Sequence, residues 1–147
     1  MRQMADSTDR VRAMRTLIVT DDMSTSNLLA HWLRKFRFTP CAIADSGSKA
    51  LRMVRNAFFG LVFLDLALPD MPGEILIPAL KAVHGQMPII TMTDSNCREL
   101  ERKVRSHGII FYMEKPVSVN ILQELLRHHI QKKQIAEQLN QIQGGQS

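Results

Sequence analysis

Residues 61–73 read Leu-Val-Phe-Leu-Asp-Leu-Ala-Leu-Pro-Asp-Met-Pro-Gly, and the change of texture within this stretch decides the fold. Leu61 to Leu64 form an unbroken apolar run that stops at Asp65; Pro69, Pro72 and Gly73 then interrupt regular structure before the next apolar periodicity. A strand with one face in water alternates apolar and polar residues, whereas an unbroken run signals a strand covered on both faces. Such strands belong to parallel sheets with helices on either side, where ligands meet the chain at the carboxyl ends of the strands. Asp65 stands at one of those ends.

The same grammar extends in both directions. Thr16–Thr20 is a short apolar run ending at Asp21 and Asp22, and Ser24 or Thr25 is placed to cap a helix carrying Leu28, Leu29, Trp32, Leu33 and Phe36 at helical spacing. Thr39–Ala44 reads as a strand, Asp45-Ser46-Gly47 as a turn, and Ala50, Leu51, Val54 and Phe58 as the apolar stripe of a second helix. Beyond Gly73 come a helix bearing Ile75, Leu76, Leu80 and Val83, a strand over Pro88–Met92 ending at Thr93, and a polar, basic helix over residues 96–106. A fifth strand over Ile109–Met113 stops just before Lys115-Pro116, and a last helix starts near Ser118. The expectation is an α/β fold: a single, doubly wound, five-stranded parallel sheet with five helices.

At 147 residues the chain suits one domain with a sizeable core. Residues 1–15 read as a flexible basic arm, 16–130 as the folded domain and 131–147 as a helical, Gln-rich extension. The longest apolar run, Ala57–Leu64, is far short of the ~20 residues a bilayer span needs, and the start lacks the apolar segment of a signal peptide. Cys41 and Cys97 lack metal or redox spacing and read as reduced thiols, so a cytoplasmic protein with no membrane role is expected. The net charge of +5 hints at acidic partners, nucleic acid among them.

Collecting the strand ends gives Asp21 and Asp22, Asp65, Thr93 and Lys115. Carboxylates gathered in one pocket repel unless a positive charge joins them. Hard oxygen donors with an open position for a phosphate are what Mg²⁺ prefers, so a divalent cation completes the expected site.

These motifs resemble those of a response-regulator receiver domain, the phosphoacceptor module of two-component signalling. The resemblance rests on Asp21-Asp22, Asp65-Leu-Ala-Leu-Pro69-Asp-Met-Pro-Gly73, Pro88-Ile-Ile-Thr-Met-Thr93 and Tyr112-Met-Glu-Lys115-Pro116, with Ala44-Asp-Ser-Gly47-Ser-Lys-Ala50-Leu51 as a further match, over residues 16–130. It implies a flavodoxin-like fold and Mg²⁺-dependent transfer of a phosphoryl group from a histidine kinase or phosphotransfer protein to Asp65. It further implies that Asp22, Asp65 and the Ala67 backbone carbonyl hold the metal, that Asp21 assists through water, and that Lys115 and Thr93 bind the phosphoryl oxygens. The Lys115-Pro116 bond is expected to be cis. Tyr112 would swing inward as Thr93 moves, switching the surface of the fourth helix, fifth strand and fifth helix.

Two residues bear on rates. Asp94, following the switch Thr where the family has a small residue, would slow phosphorylation or alter dephosphorylation, and Ala67 offers no side chain to guide a hydrolytic water. The reading is of a stand-alone binding module rather than a classical enzyme, monomeric or dimerising on phosphorylation. Its rivals are the receiver portion of a larger transcriptional regulator, a basic nucleic-acid-binding protein on this fold, and an unphosphorylated scaffold. The net charge divides into +2 for residues 1–15, +2 for 16–117 and +1 for 118–147, so no segment concentrates it. Arg98, Arg102 and Arg105 would share one face of the fourth helix, which points to an acidic output partner. Ile121, Leu125, Ile135, Leu139 and Ile142 trace an imperfect heptad broken by His128 and Lys132.

Overall fold

The computed structural model describes residues 15–95 and 97–144, the side chains of 131–137, 143 and 144 excepted. Two compact units divide between Val117 and Ser118. The first carries five parallel strands, β1 (Thr16–Val19), β2 (Cys41–Ala44), β3 (Leu61–Asp65), β4 (Ile89–Thr93) and β5 (Phe111–Glu114), in the order β2-β1-β3-β4-β5. Helices α1 (Met23–Lys35), α2 (Gly47–Asn56), α3 (Gly73–Val83) and α4 (Arg98–Ser106) connect them. The second unit is the helix α5 (Val119–Gly144), which runs through residue 130 without a break.

The unbroken apolar runs are buried as expected. Leu17, Ile18 and Val19, Leu61 to Leu64, and Ile89, Ile90 and Met92 are at most 1% exposed, which requires cover on both faces of the sheet. Leu29 and Leu33 of α1, Ala50 and Val54 of α2, and Leu76, Ile77 and Leu80 of α3 supply buried helical faces. Each Val, Leu, Ile, Phe or Met among these contributes about 1.5–3 kcal/mol relative to leaving it in water.

Several boundaries move. Thr20 lies beyond β1. The second strand starts at Cys41 rather than Thr39, after a cis Thr39-Pro40 bond, with the Pro40 carbonyl accepting from the Thr16 amide at 3.1 Å. The fifth begins at Phe111 rather than Ile109, leaving Ile110 half exposed although its amide bonds the Ile89 carbonyl at 2.9 Å. Phe58 falls past the end of α2 and is exposed, while Phe59 takes the buried position. Ile75 and Val83 of α3 face outward, because Leu76, Ile77 and Leu80 satisfy the helical period on the core side. Ile121, Leu139 and Ile142 are exposed. The N-terminal arm, Arg15 excepted, Asn96 and the side chain of Ile135 lie outside the described residues.

Strand order fixes where a site can form. The sequence steps outward from β1 to β2 and then in the opposite direction from β1 to β3, so the chain reverses between β1 and β3. Leu64 is in register with Val19, which sets Asp65 at the crevice beside the residues leaving β1. Met92 pairs with Asp65, and Thr93 with Glu114, bringing the ends of β4 and β5 to the same edge.

Candidate functional site

Asp65 is the centre of this edge and is only 1% exposed. A buried carboxylate is costly unless hydrogen bonds and an opposite charge compensate it, and both are present. The Lys115 ammonium donates to Oδ2 at 2.5 Å, the Thr20 hydroxyl donates to the same oxygen at 2.9 Å, and the Ala67 amide donates to Oδ1 at 3.0 Å. Lys115 also stands 3.6 Å from Asp22 Oδ2, so one ammonium bridges the carboxylates leaving β1 and β3. Its amide donates to the Thr93 carbonyl at 2.8 Å, and its bond to Pro116 is cis, as expected from the sequence. Burial by itself would push the Lys115 ammonium down; the hydrogen bond to Asp65 and the charges of Asp65, Asp94 and Asp22 outweigh it and hold it above its ordinary value.

Asp22, rather than Ser24 or Thr25, caps α1. Its Oδ1 accepts from the Ser24 amide at 3.1 Å and its Oδ2 from the Thr25 hydroxyl at 2.7 Å. Thr25 points back to the cap instead of forming it, because its position one turn on brings the hydroxyl beneath the carboxylate. The Thr25 hydroxyl chiefly, with the Lys115 charge and backbone amides adding to it against the effect of burial, holds Asp22 below the usual carboxylate range.

The expectation that Asp21, Asp22 and Asp65 converge needs correction. Asp22 lines a cavity of about 300 Å³ with Thr25, Asp94, Lys115 and Pro116, whereas Asp21 lines a separate one with Thr20, Ser26, Asp45 and Ser46. Among the described residues no three His, Cys, Asp or Glu side chains are gathered closely enough to hold a metal. Successive residues leaving a strand diverge, which parts the acidic pair. The donor chemistry still fits Mg²⁺: Asp22 is 42% exposed at its side chain and keeps lone pairs beyond those used in capping, and Asp65 brings a second carboxylate to the Lys115 ammonium that the two share.

Thr93 is 5% exposed, and its hydroxyl is engaged in its own loop, donating to the Ser95 carbonyl at 3.2 Å and accepting from the Ser95 amide at 3.1 Å. Tyr112 is turned inward and 6% exposed, with its hydroxyl buried. The Arg105 guanidinium lies 6.0 Å from the centre of its ring. Arg105 also approaches Glu101 at 3.8 Å, and Lys103 approaches Glu99 at 3.9 Å. The basic face expected on α4 is therefore interleaved with acids: Arg98, Arg102 and Arg105 are all exposed, but Arg105 is shared with Glu101 and Tyr112.

Three contacts escaped the sequence reading: the Thr20 hydrogen bond to Asp65, the Thr25 hydrogen bond to Asp22 and, outside the site, the Asp70 carboxylate that accepts from the Gly47 and Ser48 amides. For Thr20 a signal existed, a hydroxyl directly before the acidic pair. Thr25 stands three residues after Asp22, the spacing of a cap contact. Asp70 had no local signal, since its partners lie in α2.

The chain belongs to the response regulator receiver domain family, whose model matches residues 16–127. The two-component response regulator ARR2 of Arabidopsis thaliana is 29% identical over 134 residues, which cover 90% of this chain and 20% of that protein. The transcriptional regulatory protein ZraR of Salmonella typhimurium is 34% identical over 110 residues, 75% of this chain and 25% of that one. The chain thus spans a quarter or less of the length of these two relatives. A CheY-like receiver domain protein from Methanospirillum hungatei superposes with a TM-score of 0.69 at 27% identity, over 80% of this chain and 97% of its own. A two-component response regulator from Clostridium difficile has a TM-score of 0.75 at 22% identity, over 81% and 97%. The fold is that of CheY-like receiver domains. Among the described residues no helix is long and apolar enough to cross a membrane.

Proposed function

We propose that this receiver accepts a phosphoryl group on Asp65 from the phosphohistidine of a kinase or phosphotransfer protein, in the cytoplasm. The observation that carries this reading is the state of Asp65: a buried carboxylate at the sheet's reversal point, paired with Lys115 and adjacent to a cavity lined by Asp22. A P–O bond to Asp65 forms as the donor's N–P bond breaks, and the electron pair leaves with the histidine nitrogen. Lys115 follows the migrating charge from the carboxylate to the phosphoryl oxygens, and Thr93 leaves its own loop to donate to one of them. Asp22 and Asp65, with the Ala67 carbonyl, would hold Mg²⁺. When bound, the cation neutralises charge on the phosphoryl group, which is most of what a loose transition state requires.

Release of Thr93 from Ser95 alters the space around Tyr112, and the ring couples that change to the surface of α4 and β5. The exposed Arg98 and Arg102 suit an acidic output partner there, and charge reversal at these two residues should abolish its binding. Asp94, on the cavity wall with Lys115, adds negative charge where the donor phosphoryl group enters and disfavours small anionic donors. Residues 16–130 act as the receiver and 131–147 as its extension, whether the chain works alone or beside an output domain.

The test is intact mass after incubation with a phosphodonor or partner kinase and Mg²⁺. One alkali-labile phosphate adduct, absent from Asp65→Ala, is the expected result. Lack of an adduct with every donor refutes the reading.

A further inference from the structure

We propose that Thr20 sets the lifetime of the phosphorylated state by favouring the free Asp65 carboxylate over its acyl phosphate; this rests on the phosphoacceptor reading above. Thr20 is 2% exposed, and its hydroxyl joins two parts of the site. The oxygen accepts from the Asp22 amide at 3.1 Å, and the hydroxyl proton is donated to Asp65 Oδ2 at 2.9 Å. The polarity of this relay is fixed. A backbone amide can only donate and an ionised carboxylate can only accept, so the threonine proton points at Asp65.

A hydrogen bond to an ionised acceptor is roughly twice as strong as one to a neutral acceptor. Before transfer, the Thr20 hydroxyl faces a full carboxylate. As the P–O bond forms and the donor's bond to phosphorus breaks, the carboxylate charge passes to the phosphoryl group and Asp65 becomes a neutral acyl group. The Thr20 bond then weakens. In hydrolysis the sequence reverses: a water oxygen bonds to phosphorus, the bond from phosphorus to the Asp65 oxygen breaks, and its electron pair returns to the carboxylate. The water proton leaves with phosphate or solvent, and Thr20 keeps its own proton throughout. Charge developing on the departing carboxylate strengthens the Thr20 bond, so the hydroxyl makes Asp65 a better leaving group and a weaker nucleophile.

The experiment follows loss of the aspartyl phosphate in wild type, Thr20→Val, Thr20→Ser and Thr20→Ala, at saturating Mg²⁺ so that altered metal affinity does not enter. Valine preserves shape and removes the donor; dephosphorylation slowed on the order of fivefold is expected. Serine should restore a rate within about twofold of wild type, which loss of packing alone would not do. If the valine variant fails to fold, the alanine variant carries the same expectation. A wild-type adduct with an unchanged or shortened lifetime in the valine or alanine variant overturns this proposal alone. Absence of any adduct in wild type overturns the phosphoacceptor reading and this proposal with it.

Discussion

The carboxylate of Asp70 accepts a hydrogen bond from the backbone amide of Gly47 at 2.8 Å, tying the loop that leaves β3 to the first turn of α2. Its other oxygen accepts from the Ser48 amide at 3.0 Å and the Ser48 hydroxyl at 2.9 Å. A negative charge thus meets the exposed amides of a helix N-terminus, where it is favoured. The same loop begins with the contact between Ala67 and Asp65 and closes with a bridge between Ala67 and Pro72. Asp70 therefore helps fix the backbone that carries the Ala67 carbonyl.

The Gly47 and Ser48 amides, in that order, hold the Asp70 carboxyl below its ordinary value of 3.8. A depressed carboxylate pKa stabilises the fold above the unfolded value, and the contribution is lost as pH falls through the folded value. Asp70→Asn should therefore lower the urea midpoint at neutral pH, with a difference from wild type that shrinks in acid. A difference independent of pH counts against the charge being responsible.

Lys115 has the opposite sign. Burial opposes its charge, but Asp65 and the other carboxylates prevail and raise its pKa above 10.5. Its contribution is complete below the unfolded value and is lost as pH rises through the folded one. Lys115→Met should be less stable than wild type at neutral pH, and the gap should narrow above about pH 10.5 in thermal melts. Because Asp65 stays buried without its counterion, the loss at neutral pH should exceed that of an exposed ion pair such as Glu99–Lys103.

On the proposed reading Mg²⁺ would bind the native arrangement of oxygens and not the unfolded chain, and so should stabilise the fold. At one hundred times its dissociation constant the gain is about 2.7 kcal/mol. Asp22→Asn should remove most of the shift in melting temperature. An equal shift in wild type and variant would place the metal elsewhere.

Glycine substitutions should divide by what surrounds each position. A Cβ at Gly73 would stand 2.7 Å from the Leu66 Cα, a backbone atom that cannot step aside, so Gly73→Ala should cost about 1–3 kcal/mol in urea unfolding. At Gly47 the obstruction is the Met71 side chain, whose Sδ would lie at 2.6 Å but can rotate away, so the cost should be smaller. Gly85→Ala meets nothing closer than 3.9 Å and should be nearly neutral.

The strands show how much of the fold was legible. LVFL, IIT and LIV announce two-sided burial by composition alone, so their existence and the polar residues at their carboxyl ends followed from local texture. Their bounds moved by one or two residues where hydrogen bonding, not hydropathy, sets the limit, as at Cys41 and Phe111. Asp65 and Lys115 were legible as strand-end residues, and the structure joins them directly. Asp21 was legible as a residue type but not as a direction, and it faces a different cavity from Asp22.

By itself the sequence determined the α/β architecture and the set of residues at the carboxyl edge, because apolar run length and strand-ending acids are local properties of the chain. Tertiary structure alone decided which oxygen each group serves. Thr20 and Lys115 meet on Asp65 Oδ2 from 45 and 50 residues away, and Asp70 reaches 23 residues back to Gly47. Such contacts depend on the strand order and on the loop paths between strands, which no short window of sequence encodes. Asp22 reads as one of a pair of acids, but only the folded chain makes it at once the cap of α1 and the neighbour of Lys115.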